Sequence, residues 1–306
     1  MIKKIGLKLL TLFVLVFIPY LIVKCHYVWC HDINYYKAIS KANHLTIGLS
    51  RAKRGFSPAI FEERLALKGK MINFAFDNLS SPFGPAYLDA IQNKVVENER
   101  NGIFIISVTP GSILEFDKDK PGNNLREEQF YFYNLWCQNC QPNLEYILRS
   151  PIQGGSLFQY LRTNYKAIIS QQSSNRREII HTDGWAELSV EMRSDRLKPL
   201  IVSRNFIRSP LREKFLEKTI TFLQSHGKVF LVRLPIAKVY QEYEEQLSPK
   251  FDSLMLNIAH KQQVDYLNYC NVAGDLSFLD GHHLSGEAAR FISNKIAEDI
   301  KLKLAQ

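Results

Sequence analysis

Ser50 stands where a nucleophile would. It closes "HLTIGLS" (44–50), an apolar, β-branched run with a glycine near its end, and the charged "RAKRG" follows at once. In open α/β sheets, ligands bind outside the carboxyl ends of the strands, so a serine delivered there would face a crevice. A serine hydroxyl attacks a carbonyl when a histidine takes its proton and a carboxylate orients that histidine. Of the eight histidines in the chain, His282 and His283 lie in "DLSFLDGHHLSGEAARF" (275–291), just after Asp280. Ser285 is a candidate N-cap for the helix that follows. An Asp three residues before a His, in a loop pinned by a helix start, can present both side chains to one crevice. Taken alone, the loop is equally a turn capped by Asp280 with solvent-facing histidines. Arg51 could steer an anionic substrate, or simply form a surface ion pair. No phosphate loop, dinucleotide fingerprint or metal-ligand cluster stands out, so neither cofactor nor metal is expected.

Such residues need a sheet to bring them together. Apolar runs at Leu45–Leu49, Met71–Phe76, Gly102–Val108, Lys228–Leu234 and Val264–Tyr269 read as strands. Helical patterns at about 85–99, 211–225 and 237–260 and near the end of the sequence lie between or after them. Strands rich in Ile, Val and Phe that alternate with amphipathic helices predict an α/β fold, a parallel sheet of about five strands covered on both faces. The stretch from about 115 to 209 breaks the alternation. It is polar, with loop markers "PGNN", "PIQGG" and "QQSSNRR", and reads as an insertion. Its arginines (Arg176, Arg177, Arg193, Arg196, Arg204 and Arg208) suit either a solvated face or an anionic glycan or lipid headgroup.

The 306 residues carry a net charge of +9, of which residues 1–44 hold +5, from six lysines and one acid (Asp32). The excess therefore bears on membranes; a nucleic-acid protein would carry its basic face through the folded body, and no nucleic-acid partner is expected. Lys3, Lys4 and Lys8 precede an uncharged run from Leu9 to Val23. Fifteen helical residues span roughly 22 Å against a hydrocarbon core of about 30 Å, and snorkelling by Lys8 and Lys24 closes most of the gap. A signal anchor over 1–25 is the expectation, with a linker at 26–43 and the folded domain at 44–306. A cleaved signal peptide is the rival reading, although the Lys24-Cys25-His26-Tyr27 context is poor for cleavage. With the lysines inside, the body of this single-pass protein would lie outside the cytoplasm. Cys137 and Cys140 form a CxxC that suits a local disulfide at that address, with free thiols the alternative.

Together, the strand-end "IGLS", the parallel strands and the late "DGHHLS" resemble the SGNH (GDSL-like) hydrolase superfamily. The resemblance covers about residues 44–110 and 226–304. It is nearer still to membrane-anchored, extracytoplasmic members, such as teichoic-acid D-alanyl-transfer and alginate O-acetylation proteins. It implies a three-layer, flavodoxin-like fold and a triad of Ser50 as nucleophile, His283 as base (His282 the fallback) and Asp280 as orienting carboxylate. The implied chemistry is O-acyltransfer or deacylation of an ester on a cell-envelope glycan. An anchored domain could receive its acyl group from a membrane partner protein, because tethering raises the effective concentration. Two departures stand out. Leu49 replaces the Asp of the family's Gly-Asp-Ser block. "ISVTPGSILEF" (106–116) lacks the Gly-x-Asn-Asp block whose side chain helps hold an oxyanion. Asn78, after the second strand, is the candidate substitute. A noncatalytic SGNH-like domain, binding surface polysaccharide or scaffolding an export complex, is the alternative class.

Overall fold

The computed structural model describes residues 2–76, 82–116, 132, 134–150, 206–272 and 276–306. Asn78 and the greater part of the expected insertion, including five of its six arginines (Arg176 to Arg204), lie outside the described residues.

In chain order the elements are α1 (Ile2–His31), α2 (Ile33–Ile39), β1 (His44–Gly48), α3 (Ser50–Gly55), α4 (Pro58–Arg64), β2 (Met71–Ala75), α5 (Pro85–Lys94) and β3 (Gly102–Ser107). Then come α6 (Pro110–Ile113), β4 (Leu114–Phe116), α7 (Leu144–Arg149), β5 (Phe206–Arg208), α8 (Pro210–Gln224) and β6 (Gly227–Arg233). The last are α9 (Lys238–Leu247), α10 (Phe251–Gln262), β7 (Asp265–Asn268) and α11 (Gly286–Leu304).

Every residue of β1, β2 and β3 is buried, as expected of parallel strands covered on both faces. They lie with β6 and β7 in one five-stranded sheet ordered β2-β1-β3-β6-β7, all neighbours parallel. This is the flavodoxin-like order, which reverses direction between β1 and β3 and so opens a crevice there. One face is covered by α3, α4 and α11: Phe56 just after α3, Phe61 of α4 and Ile292, Ile296 and Ile300 of α11 join Ile105, Phe230 and Val232 in a single core. On α5 and α8, Tyr87, Ile91, Leu216, Ile220 and Leu223 are also buried, and α8 packs on β6 and α5. A short antiparallel pair, β4 with β5, stands apart from the main sheet.

Two boundaries differ from the sequence expectation. The pattern over 237–260 is two helices, α9 and α10, because Pro249 removes a backbone donor and Lys250 adopts φ +66°. The pattern over 85–99 ends at Lys94, where Val95 turns to extended backbone.

The chain divides into two units. The sheet unit comprises Ser40–Asn134 and Arg177–Gln306. The N-terminal unit joins Met1–Ile39 to Leu135–Arg176, of which residues 135–150 are described. Its α1 is long and apolar enough to cross a membrane over Lys4–Trp29. Residues 26–39, read from sequence as linker, are nearly all helical, since α1 runs on to His31 and α2 follows. Asp32 ties this unit together: one carboxylate oxygen accepts from Asn34 N–H at 2.9 Å and the other from the Tyr146 hydroxyl at 2.9 Å. Cys137 and Cys140 are joined in a disulfide.

Candidate active site

β1 must release the chain into a helix within two residues, and only glycine fits the release point. Gly48 has φ +150°, a region that L side chains rarely adopt. A Cβ there would meet the Cβ atoms of Ala52 at 2.8 Å and Ser107 at 2.9 Å. The turn places Ser50 as the first residue of α3, with Leu49 extended before it. The short helix is held from below by a residue that sequence reasoning passed over. Asn73, on buried β2, donates from Nδ2 to the carbonyls of Ala52 (3.0 Å), Lys53 (3.2 Å) and Phe56 (3.1 Å). It thereby gathers the carbonyls around the end of α3, of which Ala52 O also accepts from Phe56 N–H at 3.1 Å. A lone Asn in an otherwise apolar buried run was the available signal, because such a group must find partners.

The 280–283 loop comes to the same place from the other end of the domain. Asp280 accepts through Oδ1 from the backbone N–H of His283 at 2.8 Å and of His282 at 3.3 Å. Its Oδ2 lies 2.6 Å from His283 Nδ1, and His283 Nε2 lies 2.8 Å from Ser50 Oγ. With Asp280 ionised, Nδ1 must carry a proton, which leaves Nε2 as the acceptor for the serine O–H. Gly281 permits the turn: its φ is +86°, and a Cβ would collide with the Tyr240 ring. Ser285 caps α11, accepting from Ala288 N–H. The structure thus brings Ser50, His283 and Asp280 into one hydrogen-bonded chain.

Electrostatics suit a neutral base. Burial lowers the His283 pKa, the Asp280 carboxylate raises it, and Arg54 and Arg51 lower it again, leaving the ring below the ordinary histidine value. Burial would raise Asp280, but the hydrogen bond and charge of His283 hold it well below the usual carboxylate range. His282 is different. Burial and the neighbouring His283 push its pKa down to about 3, and its ring packs between Tyr240 and His283 at centroid distances of 5.6 and 4.0 Å. Its Nδ1 has no hydrogen-bond partner among the described residues. The ligand atoms of Asp280, His282 and His283 all lie within 4.8 Å of one another, as a metal would need. Both nitrogens of His283 are already committed, however, to Asp280 and Ser50.

Arg51 points into an ion network. Its Nη2 lies 2.7 Å from Glu244 Oε1, and the other Glu244 oxygen takes Arg233 Nη2 at 3.0 Å. Arg233 Nη1 continues to Asp252 at 2.7 Å. A steering role for Arg51 therefore competes with a bracing role, in which the residue after the serine is tied to β6 and α9. Beyond β3, where the resemblance leads one to look for an Asn or Asp, the turn bonds to itself. Thr109 N–H donates to Ser112 Oγ at 3.1 Å, and that hydroxyl donates to Thr109 O at 2.6 Å. Ser107 Oγ, buried at the end of the strand, has no partner among the described residues.

A flavodoxin-like parallel sheet with a Ser–His–Asp hydrogen-bonded chain at its carboxyl edge is the arrangement that the SGNH resemblance implies. No protein-family model matches the sequence, and no curated protein matches it. Among solved structures, the chain is similar to an inhibitor-bound aryl esterase of M. smegmatis and to a carbohydrate acetylesterase from Sinorhizobium meliloti. Each is 12% identical with a TM-score of 0.39, over 84% of this chain and 97% of the other. An active-site mutant of a family two carbohydrate esterase from Clostridium thermocellum aligns at 11% identity and a TM-score of 0.32, over 86% of this chain and 64% of its own. Likenesses this distant carry no weight on activity, which rests on the geometry above.

Proposed function

We propose that this protein is an SGNH-type serine enzyme performing acyl-ester chemistry on a cell-envelope glycan or related substrate, outside the cytoplasm. The observation that carries the reading is the unbroken contact from Ser50 Oγ through His283 to Asp280. His283 Nε2 takes the Ser50 proton as Oγ attacks the ester carbonyl, and Asp280 stabilises the imidazolium that forms. The tetrahedral intermediate collapses when His283 returns that proton to the departing alcohol, leaving an acyl-serine. An incoming hydroxyl, of water or of a sugar, then gives its proton to His283 and attacks the acyl carbon. As the bond to Ser50 Oγ breaks, His283 returns that proton to Oγ, restoring the free serine and the neutral imidazole. The first N–H groups of α3, which have no intrahelical acceptor, are the donors on hand for the oxyanion. Asn78 is the side-chain candidate from the sequence for the same task.

O-acyltransfer is favoured over simple hydrolysis because the anchor holds the crevice near any membrane-delivered acyl donor. The test compares acylation of envelope glycan in cells carrying wild-type protein or Ser50→Ala. Lower acylation in the mutant supports transfer and higher acylation supports hydrolysis. Unchanged acylation, together with an unreactive Ser50, returns the noncatalytic binding domain.

A further inference from the structure

Exposed apolar side chains in the N-terminal unit extend beyond α1. Trp136 is 95% exposed, Leu144 60% and Leu148 53%. They sit on a braced scaffold. Trp136 immediately precedes the Cys137–Cys140 disulfide, and its backbone N–H donates to Glu145 Oε2 at 2.8 Å. Asn143 caps α7 by accepting from Tyr146 N–H at 2.9 Å, and its Nδ2 donates back to the Cys137 carbonyl at 2.7 Å. Leu144 and Leu148 are four residues apart on α7 and so share one face of it.

The position of this face relative to α1 indicates what covers it. Lys24 ends the uncharged run Leu9–Val23, yet it is only 5% exposed. Its ammonium does not reach for water but donates to the carbonyl of Leu148 at 2.8 Å, one of the carbonyls that the end of α7 leaves free. An exposed leucine on α7 is therefore within one lysine side chain of the point where the apolar helix leaves its uncharged stretch. Trp29, further along α1 by about 7.5 Å, is also exposed. Tryptophan beside aliphatic residues at such a level is the composition of a membrane interface. A single spanning helix leaves the chain free to rotate about the helix axis. A second apolar contact off that axis removes the freedom.

We propose that the disulfide-closed turn and α7 form an interfacial foot, with Trp136, Leu144 and Leu148 seated in the lipid bilayer at its headgroup–acyl boundary beside the end of α1. The proposal rests on α1 spanning the membrane. The full-length protein is reconstituted in phosphatidylcholine vesicles brominated either near the headgroup or near the bilayer centre. The emission of Trp136 is taken as the difference between wild type and Trp136→Phe, a substitution at a nearly fully exposed site. Most of that emission should be lost with the shallow-brominated lipid, less with the deep one, and little with aqueous iodide. Strong quenching by iodide with none by either lipid overturns the foot, as does insensitivity to all three, which would mean a protein partner covers the surface. A Val16→Trp variant separates the two readings. Its quenching by the deep-brominated lipid without quenching of Trp136 sinks the foot alone. Absence of quenching at both positions sinks the spanning helix and the foot with it.

Discussion

β1 and β3 are neighbours in the sheet and end at the same edge, yet their exits are built differently. At the end of β1, Gly48 opens a turn that no other residue fits, Asn73 holds the helix from beneath, and Ser50 meets a charged loop drawn from the far end of the sequence. At the end of β3, Thr109 and Ser112 bond to one another, and the nearby Ser107 hydroxyl bonds to nothing described. One exit aims its polar groups outward, and the other spends them on its own backbone. Under the proposed function, Ser50 is activated by the side chains gathered at the first exit, and the first backbone N–H groups of α3, with Asn78 the side-chain candidate, are the donors on hand for the oxyanion.

The sharpest way to break this contrast is to damage the β1 side. Asp280→Asn should lower turnover of an activated ester by on the order of 10⁴-fold, because the amide favours the wrong His283 tautomer. A loss below tenfold would mean that His283 is not the base. Next in size is Glu244→Gln. Glu244 is a buried carboxylate between Arg51 and Arg233, and removing one member of a buried pair costs about 3–5 kcal/mol. Thermal or urea unfolding should show the loss, and an unchanged midpoint would make the network ornamental.

Gly48→Ala should destabilise by about 1–3 kcal/mol from overpacking against Ala52 and Ser107, read by the same unfolding curve. On the β3 side, Ser112→Ala should change turnover by less than tenfold. A loss of about 10²–10³, the usual cost of deleting an oxyanion donor, would show that this exit also serves the reaction and erase the contrast.

The smallest expected effect is a shift in pH dependence. His283 accepts a proton only when neutral, and its pKa lies below the ordinary histidine value. Activity should therefore hold through mildly acidic pH and fall only below about 6.5, the unperturbed value. Arg51→Gln removes a cation that disfavours the imidazolium, so the folded pKa rises and the acid limb moves to higher pH. A limb that moves down, or stays, contradicts the placement of Arg51 beside the base.

The features that sequence made legible were the local ones. A buried strand ending in Gly-x-Ser announces its own exit, and Asp280, His283 and Ser285 fall within six residues whose spacing suits a capped turn. Five parallel strands were readable because double-sided burial leaves unbroken apolar runs. Asn73, Glu244 and Arg233 were not singled out, since their partners lie on other elements and neither charge nor spacing names them. Nor was the joining of residues 135–150 to the N-terminal helices, which depends on Lys24 and Asp32 meeting Leu148 and Tyr146 more than a hundred residues away. Pro249 did mark the break between α9 and α10; the apolar periodicity on either side of it masked the signal.

Whether Ser50 is an activated nucleophile decides the account most directly. The folded full-length protein is treated with a fluorophosphonate and the modified peptide mapped by mass spectrometry. The adduct should fall on Ser50, vanish in Ser50→Ala and form far more slowly in His283→Ala. No adduct on folded wild-type protein, or one at another residue that persists in Ser50→Ala, would contradict it.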